Sequence, residues 1–193
     1  MRVMRTALLT LALLTLVTGV IYPLAMTALA GVLFPYQAGG SLLIENGQVI
    51  GSERIGQAFQ DPKYFWPRPS ATAPFPYNAA ASSGSNYGPR NEDLKKAMEA
   101  RRQALRAADP GNDQPIPIDL LTASASGLDP HISPEAARYQ IARGARVRGL
   151  APPLVARLVA EHTQPRQLGF LGEPVVNVLG LNRALDRLGR TRP

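Results

Sequence analysis

Residues 7–34 form one uncharged, apolar run, and no second run of that kind follows it in the 193-residue chain. A bilayer's hydrocarbon core of about 30 Å needs roughly 20 helical residues, and a helix satisfies its own backbone hydrogen bonds inside it. This run is long enough to cross with some tilt. A cleaved secretory signal is the alternative, because Ala28-Leu29-Ala30 reads as a small-x-small cleavage site behind a basic start. Length favours the anchor: signal cores run about 7 to 15 residues, whereas residues 7–22 already exceed that before Pro23, and residues 24–34 continue apolar. Both readings send the rest of the chain outward. Arg2 and Arg5 favour a cytoplasmic N-terminal tail, and a long following domain translocates largely regardless of its own charge. The expected organisation is a tail and single transmembrane helix over residues 1–35 and an extracytoplasmic soluble domain over residues 36–193.

Inside the run, Thr15 and Gly19, and likewise Thr27 and Gly31, are four apart. Such pairs put small residues on one helix face, where another helix can approach, although both residue types are common in membrane helices anyway. Pro23 removes a backbone donor and is expected to kink or loosen the helix locally. With no ionisable side chain, the run cannot itself relay protons or ions.

The residues beyond the run suffice for one domain with its own core. The chain has no cysteine, so disulfides are impossible, and two histidines without thiolates make a structural zinc site untenable. A net charge of +7 raises nucleic acid as a partner. However, Arg outnumbers Lys 18 to 3 in an Ala- and Pro-rich chain, which reads as compositional bias, and no aromatic-plus-basic module is present. Nucleic acid is not an expected partner.

The local pattern predicts an α+β, helix-rich domain with a small β-hairpin or sheet. Ser41 to Glu45 and Gln48 to Gly51 flank Asn46-Gly47, the pair suited to a type I′ hairpin turn. Residues 61–91 are rich in proline and aromatics and fit neither helix nor strand; their rings favour an ordered loop packed on the domain or on a partner. Asn91 caps a surface helix to about Ala108, with a thin stripe of Leu94, Met98 and Leu105 and an Arg/Lys cluster expected on the solvated face. Residues 118–123 read as a short strand or turn. Ser133 caps a second helix with Pro134 at its first position, running to about Gly149. Pro152 and Pro153 start a third, with Leu154, Val155, Leu158, Val159 and His162 at helical spacing. A fourth starts at Asn177 or Val178 and runs to Leu188.

Catalytic patterns are absent. There is no Gly-Lys dipeptide, which excludes an ordinary P-loop, and no Gly-x-Ser-x-Gly elbow. His131 reads as structural rather than as a base or ligand, and no carboxylate pair shares a helix face. An independent enzyme is not supported, though a membrane-anchored or secreted periplasmic enzyme or binding protein remains the alternative.

Several blocks taken together are specific. Gly51-Ser52, Ile55-Gly56-Gln57-x-Phe59, Tyr64-Phe65-x-x-Arg68-Pro69-Ser70-Ala71, Tyr77-Asn78 and Ser83-Gly84-Ser85-Asn86 resemble the C subunit of the Kdp potassium-transporting ATPase. The second half adds Ala123 through Asp129, Ile132-Ser133-Pro134, Gln140, Pro174 through Val178, and Leu181-Asn182-x-Ala184-Leu185-Asp186. The resemblance covers nearly the whole chain. It implies a single-pass subunit of a high-affinity potassium importer in the bacterial inner membrane, partnered by a potassium-channel-like subunit and a P-type ATPase subunit. The chain itself lacks the Asp-Lys-Thr-Gly phosphorylation sequence of such an ATPase.

The resemblance also implies a catalytic chaperone that raises the ATPase subunit's nucleotide affinity, with Gln164 matching a glutamine linked to that contact. ATP then enters only within the complex, and no cofactor is bound firmly. This conflicts with the topology, because an outward domain cannot touch ATP on a cytoplasmic domain. The topology is the firmer inference, and it favours a domain that caps or braces the potassium-entry side. Residues 61–91 and 124–132 are the candidate contact surfaces, since Gly/Ser/Asn/Pro segments on a rigid scaffold commonly carry recognition. Tyr64, Phe65, Arg68, Tyr77, Asn78, Ser85, Asn86, Ser126 and Asp129 are the candidate partner-contact residues. The competing reading for each is local: turns for the glycines, backbone hydrogen bonds for the asparagines.

Overall fold

A computed structural model describes residues 1–190. The apolar run is helical throughout: α1 (Arg2–Leu16), a π-helical turn (Val17–Ile21) and α2 (Tyr22–Leu33). The π turn ends two residues before Pro23, whose missing N–H lets the ladder slip by one residue, so the loosening expected at this proline takes that form. Thr6 and Thr18 hydroxyls donate to Arg2 O (3.1 Å) and Leu14 O (2.7 Å), keeping these polar groups satisfied on their own helix. Arg2–Leu33 is long and apolar enough to cross a membrane.

Phe34 leaves the helix at φ −136°, and Pro35 starts the single turn α3 (Pro35–Ala38). The hairpin follows as β1 (Leu42–Glu45) and β2 (Gln48–Ser52), antiparallel, with Glu45 opposite Gln48 and a register shift between Leu43 and Ile44. Asn46 and Gly47 take φ of 51° and 77°, as the type I′ turn requires. Met1–Ser52 forms one compact unit, which includes this hairpin, and a second begins at Glu53.

In the second unit, residues 53–91 are irregular but ordered, and α4 (Glu92–Ala108) begins where the Asn91 side chain accepts from Asp93 N at 2.7 Å. Residues 118–123 resolve as a turn, with a 3-10 segment at Ile118–Leu120. Ser133 Oγ accepts from Ala136 N at 3.0 Å to open α5 (Pro134–Arg148). That helix stops at Gly149, which is left-handed at φ 62°, with Leu150 N donating to Ala145 O at 2.9 Å. Then come α6 (Pro152–Glu161) and α7 (Val178–Arg190), where Asn177 Oδ1 accepts from Gly180 N at 2.9 Å.

A three-stranded antiparallel sheet ties these helices together: β3 (His131–Ile132), β5 (Val175–Asn177) and β4 (Thr163–Gln164), in the order β3-β5-β4. Segments of two or three residues show no alternation, so this sheet left no periodic signal. The core gathers Leu105 of α4, Leu120, Ile132, Val155, Val176 and Leu181, each at most 2% exposed. One expectation for α4 is corrected. Arg101 leaves the solvated face, lies 5.0 Å from the Trp66 ring centre, and donates to Leu120 O (3.1 Å) and Pro67 O (2.8 Å). Its long stem reaches inward to backbone carbonyls that a loop leaves unpaired.

Candidate partner-contact surface

The irregular segment beginning at Asp61 runs through the domain interior and is held by helix side chains. Phe65 is fully buried and Trp66 is 6% exposed. Buried backbone must find partners, and here two side-chain amides supply them. Asn182 of α7 accepts from Phe65 N (2.8 Å) and donates to Phe65 O (3.0 Å). Gln140 of α5 accepts from Trp66 N (2.7 Å) and donates to Trp66 O (3.1 Å). Each amide does what a neighbouring strand would do.

Arginines complete the clamp. Arg143, 2% exposed, donates to Tyr64 O at 3.0 Å, and its guanidinium lies 5.1 Å from the Trp66 ring centre. Burial pulls this guanidinium down to about 10, still well above neutral pH, so it remains charged. Arg148 donates to Lys63 O (2.7 Å) and to Asp186 Oδ1 (2.8 Å), and stacks 5.0 Å from the Tyr64 ring. The Tyr64 hydroxyl donates to Asp186 Oδ2 at 3.0 Å, and burial together with that carboxylate pushes the phenol up.

A second cluster joins residues 56, 68–78 and 124–131. Tyr77 donates its hydroxyl to Arg68 O (2.6 Å), while its N–H donates to Ser70 Oγ (2.9 Å), which in turn donates to Gly127 O (2.7 Å). Arg68 donates to Asp129 Oδ2 and to Ala123 O, both at 3.3 Å, and Asp129 Oδ1 accepts from His131 N at 3.0 Å. Asn78 N donates to Thr72 Oγ1 (3.0 Å) and its side chain to Ala73 O (2.8 Å). Ser126 O accepts from Ser83 N and from Ser82 Oγ, both at 3.0 Å. The glycines fit because nothing larger does: a Cβ on Gly56 would lie 2.4 Å from the Tyr77 ring, and one on Gly127, at φ 67°, 2.6 Å from Thr72 Cγ2.

The candidate residues thus divide. Phe65 is corrected from a docking side chain to a core side chain, since it has no exposed surface. Tyr64, Tyr77 and Asn78 spend their polar groups on the domain itself. Arg68, Ser126 and Asp129 come together around a polar hollow of about 380 Å³ that Ser124 also lines. Arg68 Nε is buried there without a hydrogen-bond partner. Ser85 is half-buried, and Asn86 is exposed at φ 52°; Gln164 lies apart from this group, exposed on edge strand β4. A larger apolar groove of about 990 Å³, lined by Ile116, Ile118, Tyr139 and Ile141, contains none of the candidates. Among the described residues, no group of three His, Asp or Glu side chains could hold a metal ion.

Sequence reasoning gave Gln140, Asn182 and Asp186 no role, and Arg143 and Arg148 were not singled out. Beyond the place of Gln140, Asn182 and Asp186 in the signature blocks, the available signal was polarity at positions that share a face with apolar ones: Asn182 is four residues from Val178, and Gln140 four from Ala136.

Fold and surface define a class: one helix fit to span a membrane, followed by an α+β domain whose polar residues chiefly secure an internal loop. The chain belongs to the family described as K+-transporting ATPase, c chain, whose model matches residues 4–187. It is 62% identical over 184 residues to the potassium-transporting ATPase KdpC subunit of Methylococcus capsulatus, covering 95% of this chain and 97% of that one. It is 60% identical over 190 residues to the KdpC subunit of Variovorax paradoxus, covering 98% of each.

Proposed function

We propose that this chain is a non-catalytic accessory subunit of an ATP-driven potassium importer, assembling with a potassium-channel-like subunit and a P-type ATPase subunit. The observation that carries the reading is the family match over residues 4–187, which runs through the apolar helix and the α+β domain alike. The use of the quoted polar residues as loop clamps supports it, since side chains spent on backbone carbonyls are not poised for turnover. Arg2 and Arg5 before the apolar run favour a cytoplasmic N-terminal side, so the domain lies outside the cytoplasm, where it braces the potassium-entry side. Any promotion of ATP binding or turnover is then transmitted through the assembly, with no nucleotide on this chain.

Two measurements test this. Potassium-stimulated ATP hydrolysis by the purified complex is expected to fall when this chain is omitted. The chain has no native cysteine, so Ala104→Cys on the exposed side of α4 provides a single label site, and a membrane-impermeant maleimide is expected to react with it in spheroplasts. Labelling only after lysis would place the domain inside and reopen a direct nucleotide contact through Gln164.

A further inference from the structure

Between β4 and β5 the chain projects as a finger, residues 165–174, with an apolar tip. Leu168 is 83% exposed, Phe170 68% and Leu171 47%. Single exposed apolar residues are ordinary, but three within four residues on one projecting turn make a patch that calls for cover. The turn holds its shape without those side chains. Gln167 N donates to Leu171 O and Leu171 N to Gln167 O, both at 2.9 Å, and the Arg166–Glu173 ion pair at 2.6 Å closes the base. Leu168 is left-handed at φ 52°, a conformation that glycine or asparagine adopts at lower cost. The fold thus keeps a leucine where its backbone is strained, while its side chain stays in solvent.

We propose that this finger is the plug by which the domain seats in an apolar socket on another protein subunit of the transporter, which rests on the accessory-subunit reading above. A projecting knob fits a concave partner, and a turn already ordered loses little entropy on docking. Charge separates a protein socket from a lipid surface. Segments that bind anionic headgroups gather several unpaired Lys or Arg, whereas Arg166 is paired with Glu173, and Arg157 on α6 with Glu161 at 2.8 Å.

Photocrosslinking from p-benzoylphenylalanine placed at position 170 of the full chain, in the assembled and membrane-reconstituted complex, is expected to trap another subunit. Leu168→Asn combined with Phe170→Gln is expected to lower copurification of the partner subunits roughly tenfold or more. Thermal melting of that variant should be no lower than the parent's, because both side chains are exposed and asparagine adopts the left-handed backbone at lower cost than leucine. Crosslinks only to lipid, or only to a second copy of this chain, would overturn the proposal, as would unchanged copurification with no crosslink. Failure of the unaltered chain to copurify with partners would instead bring down the accessory-subunit reading, and this one with it.

Discussion

Asn182 and Gln140, each 1% exposed, replace a missing strand for the backbone of Phe65 and Trp66. Truncating such an amide leaves a buried N–H and a buried C=O without partners, at about 1–3 kcal/mol for each group. Asn182→Ala is therefore expected to lose about 2–5 kcal/mol in chemical denaturation, more than truncation of an exposed asparagine such as Asn86. Asp129 adds a pH dependence. Burial pushes its carboxyl up, but the hydrogen bonds from His131 and the charges of His131 and Arg68 outweigh burial and hold it below the usual carboxylate range. Its stabilisation is complete above the unfolded value of about 4 and fades as pH falls through the folded one. Asp129→Asn should flatten the loss of stability below about pH 4, read as melting temperature against pH. The resemblance marked residues such as Arg68, Tyr77 and Asp129 as part of the family's signature blocks. It could not show that their partners lay within the domain, because those partners are 9 to 61 positions away.

At the scale of elements, local chemistry was legible wherever it acts over a few residues. The Asn46-Gly47 turn, the Asn91 and Ser133 caps and the proline-led helix starts all stand where the sequence placed them. The end of α5 allows a paired test. Gly149 is left-handed, with open space at its Cβ, so Gly149→Ala is expected to cost about 1–2 kcal/mol from backbone strain alone. Gly144 lies inside α5, and a Cβ there meets Phe65 Cε2 at an ordinary 3.7 Å. Gly144→Ala is thus expected to stabilise by about 0.5–1 kcal/mol. Opposite signs in thermal melting would confirm that conformation, and not volume, decides at both sites. The sheet of β3, β4 and β5 was not legible, because its pairings depend on where α5, α6 and α7 bring the strands.

For the whole molecule, topology governs what the chain can contact. On the proposed outward topology, Gln164→Ala is expected to leave the ATP concentration dependence of the complex's hydrolysis unchanged, measured as KM for ATP. A several-fold rise in that KM would count against the outward domain. Residues 7–34 alone sufficed to indicate a spanning helix, since length and the absence of charge set the cost of crossing hydrocarbon whatever follows. The signature blocks alone sufficed to indicate the family. What the tertiary structure decided was the use of those blocks: Gln140, Asn182 and Asp186 hold a buried loop, Phe65 is core, and outside the blocks Leu168, Phe170 and Leu171 stand exposed on the finger. The physical reason is that crossing a membrane and capping a helix are settled by neighbours in sequence. Whether a polar or aromatic side chain faces a partner or its own chain depends on which distant backbone groups the fold leaves unpaired beside it.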